Sequence, residues 1–398
     1  MHHSPFFYIN SKTRNIAVLF GLVTLIEGIL WYFMPIYFES RLNSLFLVGV
    51  ILSSHPIASL FASLPAGDLC DKLGKKFVFI LGLLGFAASF LFLFGGNFQA
   101  FLFFMIMYGI FSTMYGISAF VFVLDHARPH IVGESAGFFT SVNYAGWLFG
   151  SLIAGVLMLL FDVTFMLKLL MLSVLVILSF AIFLFPGKTH INLDGFKRAK
   201  NILWHDGLFF GEAKAVYKLG KPLIAIFAFS FVFGYWEYAI WTFEPIYANS
   251  LGSGILLGAA ILALISLPGA ISALIAGKLL DSLGVKKILP IGAVLILFGQ
   301  AIFLLQQNLI TLAISLVLTS FGAMFILIII DYYIKERVAR NLRGEVDGAA
   351  EMLYNIGGIF GPLTIGAVLT VAELGNLFYF TTALFIAAIA TLVFLKDI

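Results

Sequence analysis

Residues 27–37 read EGILWYFMPIY and residues 237–247 read EYAIWTFEPIY, the same E-x3-W-x3-P-I-Y pattern written twice at a shift of 210. The same shift carries Gly67, Leu69, Asp71, Leu73, Gly74 and Lys76 onto Gly277, Leu279, Asp281, Leu283, Gly284 and Lys286. A shift of 211 carries Gly133, Glu134, Gly137, Gly146, Gly150 and Gly155 onto Gly344, Glu345, Gly348, Gly357, Gly361 and Gly366. One register held across three segments marks an internal duplication. Each copy of the opening pattern also lies in an apolar run long enough to cross a bilayer as a helix, which takes about 20 residues.

The rest of the chain has the same character. Of 398 residues 62% are hydrophobic and 11% charged, with a mean hydropathy of +1.08, a composition that excludes a water-soluble enzyme. Twelve apolar runs are expected to be spans, near residues 15–38, 45–66, 77–95, 99–124, 134–159, 164–185, 222–247, 254–276, 288–306, 309–333, 345–371 and 375–395. The runs are too long for membrane strands, which alternate over about ten residues. The first lacks a small-residue cleavage pattern and is read as a retained helix. Twelve spans leave only Arg41 and Lys168, of 23 basic residues, on one side. The positive-inside rule then places both termini and the central loop in the cytoplasm of a cell-membrane protein.

The expected organisation is a six-helix bundle over 1–185, a cytoplasmic linker over 186–221 and a second six-helix bundle over 222–398. The linker interleaves Lys188, Lys197, Arg198, Lys200, Lys214, Lys218 and Lys221 with Phe196, Ile202, Leu203, Trp204, Leu208 and Phe209. That pattern suits an interfacial helix on an anionic leaflet, and equally a solvated linker. Halves with an even number of spans share one orientation, related by an axis along the membrane normal, with the substrate site near the midplane between them. The single cysteine, Cys70, permits no intramolecular disulfide.

The loop Gly67-Asp68-Leu69-Cys70-Asp71-Lys72-Leu73-Gly74-Lys75-Lys76 resembles the G-x-L-A-D-R-x-G-R-K motif of the major facilitator superfamily. The resemblance covers the whole chain and implies an all-α, twelve-helix fold of two pseudo-symmetric bundles. It implies a cytoplasmic gate formed by Gly67, Asp71, Lys72, Gly74, Lys75 and Lys76, with Asp281 in the weaker echo, where Ser282 and Val285 replace basic residues. Gly137, Gly146, Gly150 and Gly155 in span five are similar to the family's antiporter motif G-x8-G-x3-G-P-x2-G-G, with Ser151 for Pro and Ala154 for Gly. Gly361 and Pro362 continue the theme in span eleven, and these small residues also serve plain helix packing. Met105 stands where the family's drug antiporters carry an Arg in span four.

Glu27 and Glu237 fall midway along spans one and seven, where charge costs at least roughly 2.5–3.5 kcal/mol. A carboxyl held at that cost is expected to take up and release protons or to bind a cation, or else to be a protonated group bonded to a neighbouring helix. Helical spacing puts Trp31 and Pro35, and likewise Trp241 and Pro245, on the same faces. The indoles suit a lipophilic cation, and the prolines suit bends toward the outer side. His55, Tyr115, Asn143, Tyr354 and Asn355 are further polar candidates for the cavity, each with a helix-to-helix hydrogen bond as its alternative. Glu244 is expected at the outer interface, ranking below Glu237, and Glu351 near the cytoplasmic boundary.

No G-x4-G-K-[ST] or H-E-x2-H motif is present. The expectation is a non-enzymatic secondary transporter working by alternating access, with no cofactor and a proton gradient as its energy source. Proton-coupled export of amphipathic or cationic organic compounds, as in multidrug efflux by antiport, is the first expectation. A proton symporter or facilitator for a small nutrient is the alternative, and a non-transporting receptor or scaffold a remote third. Its partners would be a small-molecule substrate and membrane lipid, with no nucleic acid, and the chain would act as a monomer.

Overall fold

The computed structural model describes residues 9–127, 132–186, 220–271, 284–338 and 342–395, which form helices and turns and contain no strand. The twelve expected spans are all present as helices. They are α1 (Ser11–Leu42), α2 (Leu45–Leu73), α3 (Lys75–Leu93), α4 (Phe98–His126), α5 (Val132–Leu160) and α6 (Val163–Leu184). The second set is α7 (Lys221–Ser250), α8 (Gly254–Ala263, continued by a 3-10 turn at Leu264–Ser266), α9 (Val285–Leu305), α10 (Leu309–Arg337), α11 (Arg343–Val368) and α12 (Leu377–Thr391). The linker expected over 186–221 and the Asp281 segment lie almost wholly outside the described residues.

Eleven of these helices are long and apolar enough to cross a membrane. The exception is α11, which carries Asp347 and Glu351 together with a run of glycines. It packs against α7 and α2, while Asp347 and Glu351 in its first turns are exposed.

Local chemistry explains where the helices start. The short turns at the end of the molecule remote from the lysine-rich loop are closed by side-chain caps. Ser44, Asn97 and Asp162 accept from the backbone N–H groups of Leu47, Ala100 and Phe165, and Asn308 forms a capping box with Thr311. At the lysine-rich end, called here the basic end, Gly74 and Gly284 have φ of 88° and 71° and open α3 and α9. This left-handed backbone is what a repeated glycine supplies, and it accounts for the glycine kept at the 210-residue shift.

α1–α6 pack among themselves and α7–α12 among themselves. The bundles meet through α2 on α11, α5 on α8, and α1 on α7. A side chain on Gly146 or Gly150 would strike the backbone of α1, and one on Gly361 would strike the backbone of α7 at Tyr235. These glycines therefore set close approaches inside each bundle. Gly155 and Gly366 act between bundles, against Ala259 of α8 and against Leu45 and Gly49 of α2. Gly137 lies in the first turns of α5. Pro35 and Pro245 are buried inside helices that run unbroken through them.

Candidate functional site

Between the bundles lies a cavity of about 210 Å³ whose walls include Glu27, Trp31, His55, Asn143, Glu237, Trp241 and Tyr354. The two repeated faces thus meet across one space. The indole N–H of Trp31 donates to the Tyr108 hydroxyl at 3.1 Å. The Trp31 ring stands edge-on to His55 and Tyr238, with centroids 5.4 and 5.6 Å apart. Trp147 meets Trp241 edge-on at 5.0 Å, linking the bundles through aromatic rings. His55 Nε2 lies 3.3 Å from the Ser112 hydroxyl, while its Nδ1 has no hydrogen-bond partner among the described residues.

The carboxyls are held differently. The Tyr115 hydroxyl of α4 donates to Glu27 at 2.5 Å, with Tyr108 as a second phenol beside it, and Glu27 is only 6% exposed. The Tyr354 hydroxyl of α11 donates to Glu237 at 2.8 Å, and Glu237 is half-buried on the cavity wall. The repeat partner of Tyr354 is Asn143, which lines the cavity with no hydrogen-bond partner for its carboxamide oxygen among the described residues. The helices obey the duplication, whereas the phenols that hold the carboxyls do not.

Two expectations, for Asn355 and Glu244, are corrected by this geometry. Asn355 is buried and donates to the Glu351 carbonyl and side chain at 3.0 and 3.3 Å instead of lining the cavity. Glu244, expected at the outer interface, is 1% exposed. Asp71 is exposed and forms no ion pair among the described residues. Lys72 pairs with Asp68 at 3.5 Å, Lys75 pairs with Asp125, and Lys76 donates to the Ile182 carbonyl at 2.7 Å. These ties stay within the first bundle, because the lysines reach acceptors on α2, α4 and α6.

The bundles are joined toward the opposite end. Tyr32 of α1 donates to the Ile255 carbonyl of α8 at 2.6 Å, and Ser53 of α2 donates to the Ile359 carbonyl of α11 at 2.9 Å. Gly49 lies against the Pro362 carbonyl, and Gly155 against α8. Toward the basic end, α10 and α11 present exposed Asp331, Asp347 and Glu351. The cavity is sealed on the side away from the lysines.

Six lining residues were not singled out in the sequence: Tyr108, Ser112, Tyr144, Trp147, Tyr238 and Ser266. Most were within reach of a helical count. Tyr108 and Ser112 stand seven and three residues before Tyr115, Trp147 stands four after Asn143, and Tyr144 and Tyr238 adjoin Asn143 and Glu237. Ser266 offered no such anchor.

Two six-helix repeats around an acidic, aromatic cavity define a membrane transporter of the two-bundle class. The sequence profile of the Major Facilitator Superfamily matches residues 16–269 and 226–397, and the chain belongs to that family. An uncharacterized MFS-type transporter of Methanocaldococcus jannaschii, MJ1560, is 24% identical over 364 residues, covering 91% of this chain and 92% of that protein. Quinolone resistance protein NorA of Staphylococcus aureus is 25% identical over 146 residues, which span 36% of this chain and 38% of NorA. Among solved structures, the nucleoside transporter NupG superposes with a TM-score of 0.76 at 16% identity, covering 97% of this chain and all of NupG (100%). A D-xylose-proton symporter gives 0.73 at 15%, covering 98% of this chain and 97% of the symporter. At these identities the superpositions speak for the fold alone.

Proposed function

We propose that the chain is a proton-coupled exporter of amphipathic organic cations. The observation that carries this is the cavity wall, in which two carboxyls and the rings of Trp31, Trp147, Trp241 and Tyr238 converge while no lysine or arginine among the described residues lines the space. Ring faces and carboxylates attract a desolvated cation together, and a wall without fixed positive charge gives an anion no counter-ion. The local similarity to NorA supports efflux. The lysine-rich end is cytoplasmic by the positive-inside rule, so the cavity faces inward in this conformation and both termini are cytoplasmic. Each chain carries both halves of the pathway and works as a monomer in the cell membrane. Glu27 and Glu237 exchange protons for substrate as the bundles alternate, and the proton gradient supplies the energy.

A second reading, a proton symporter or facilitator for a small nutrient, is favoured by the modest cavity volume and by Ser112, Asn143 and Ser266 on its wall. NupG and the D-xylose-proton symporter share the fold.

The test is substrate-triggered proton movement in proteoliposomes, with lipophilic cations, neutral amphiphiles, nucleosides, sugars and organic anions compared in wild type, Glu27→Gln and Glu237→Gln. Proton movement with the lipophilic cations, lost in either variant, is expected. A response confined to nucleosides or sugars selects the second reading. Labelled substrate moving without protons, with both variants behaving normally, overturns the coupling.

A further inference from the structure

Seven residues beyond Glu237, about 10 Å further along α7 toward the sealed end, stands a third carboxyl, Glu244. It is 1% exposed, and neither side-chain oxygen has a hydrogen-bond partner among the described residues. It lies outside the cavity described above. Its titratable neighbour is Tyr32 of α1, whose hydroxyl is already committed to the Ile255 carbonyl of α8. Of the elements packed on α7, α8 over Gly254–Ala263, α11 over 359–368, α2 over 45–54, α10 over 309–322 and α12 over Leu377–Thr391 contain no charged side chain, while α1 carries Glu39 and Arg41 in its last turn and Glu373 precedes the 3-10 turn Leu374–Asn376; among the described residues none of these three pairs with Glu244.

Packing does not require an acid at this position. The repeat partner of Glu244 is Met34, fully buried at the equivalent level of α1, so an apolar side chain does the same structural work in the first bundle. An ionised carboxylate with both oxygens unbonded costs several kcal/mol in such a wall, whereas a neutral carboxylic acid is tolerated far better. The Tyr32–Ile255 contact beside it joins the two bundles, and parting them would bring Glu244 to water.

We propose that Glu244 is a proton-binding site of the outer seal, loaded while the seal is closed and emptied when the bundles part at that end. The proposal deepens the proton-coupled reading and takes from it the alternation of the two ends. Protonated Glu244 lets the seal close. A proton lost to the outer solvent leaves a charge that cannot be reburied, so the outward-open form is held until a proton returns. Acid therefore favours the sealed form and alkali the open one.

The test uses the full chain in lipid, with spin labels at Leu160→Cys and Val371→Cys in a Cys70→Ser background. Both positions are exposed, at 67% and 89%, at the sealed ends of different bundles. The label distance is followed from mildly acidic to mildly alkaline pH. Wild type and Glu244→Asp are expected to shift toward longer distances as pH rises. Glu244→Gln and Glu244→Met are expected to lose the shift and stay short at every pH. The Glu27→Gln, Glu237→Gln double variant is expected to keep it. A shift absent from the wild type, or surviving in Glu244→Gln or Glu244→Met, overturns the proposal. A shift lost in the double variant assigns the titration to the cavity and overturns it equally. Flux without proton movement would sink the coupling reading by itself, since the label distances report on Glu244 independently of transported substrate.

Discussion

Glu27 and Glu237 occupy equivalent positions in a duplicated sequence, yet their surroundings have diverged. Glu27 is closed in by two phenols, Tyr115 and Tyr108, both from α4 of its own bundle. Glu237 is half open to the cavity and bonded by Tyr354, from a helix that also packs against the other bundle through Pro362 and Gly49. A group enclosed by its own bundle moves with that bundle as a rigid unit. A group facing the space between bundles meets whatever enters there. The duplication thus supplies two carboxyls, and on the proposed proton-coupled reading the helix that contributes the phenol would separate their tasks, with Glu237 meeting substrate and Glu27 carrying the proton.

The largest effect that would sharpen this division is on cation affinity. Glu237→Gln removes the charge that faces the cavity, and losing one partner of a poorly solvated charge pair costs at least about 2 kcal/mol, or roughly thirtyfold in Kd. Titration calorimetry with a lipophilic cation in detergent checks it. A Kd within about threefold of wild type, which is under roughly 0.7 kcal/mol, would remove Glu237 from the binding site.

A smaller effect is expected of Glu27→Gln, because its carboxyl, although on the cavity wall, is only 6% exposed and is held by the Tyr115 hydroxyl. Affinity should stay within about threefold of wild type, while substrate-driven proton movement in proteoliposomes is lost. Equal losses of affinity in the two variants would break the comparison, showing that both carboxyls contact the cation despite their unequal exposure.

The fold was almost entirely legible in the sequence, and the site only in part. Apolar runs, the lysine bias and the 210-residue register each depend on many residues, so all twelve helices emerged, including α11, whose acidic residues lower its hydropathy below that of the other spans. Glu27, Glu237 and their indoles were visible because charge inside a span is costly and the pattern occurs twice. What the duplication concealed is the asymmetry. Asn143 and Tyr354 share a repeat position but differ in reach, and only their three-dimensional surroundings show that Tyr115 of α4 does for Glu27 what Tyr354 of α11 does for Glu237. The partners of the lysines beside Asp71 were hidden for a similar reason: they point to Asp68, to Asp125 and to the Ile182 carbonyl, acceptors that lie up to 106 residues away in sequence.

The smallest effect distinguishes the two phenols. Hydrogen bonds between membrane helices average about 0.6 kcal/mol in double-mutant cycles, with a maximum near 1.7. Tyr115→Phe and Tyr354→Phe should therefore each lower stability by about 1 kcal/mol or less, measured by unfolding in mixed micelles. Crossing each with Gln at its own glutamate gives the coupling energy of the pair. The Tyr115–Glu27 coupling should be the larger, because that carboxyl is enclosed and cannot exchange its donor for water. Tyr354→Phe should instead lower cation affinity by a few-fold, equivalent to about 0.7 kcal/mol, since its phenol orients a carboxyl that faces the cavity. If the two cycles return the same coupling and neither tyrosine variant alters affinity, the cradles are energetically interchangeable. The division of tasks between the carboxyls would then have to arise outside their phenols.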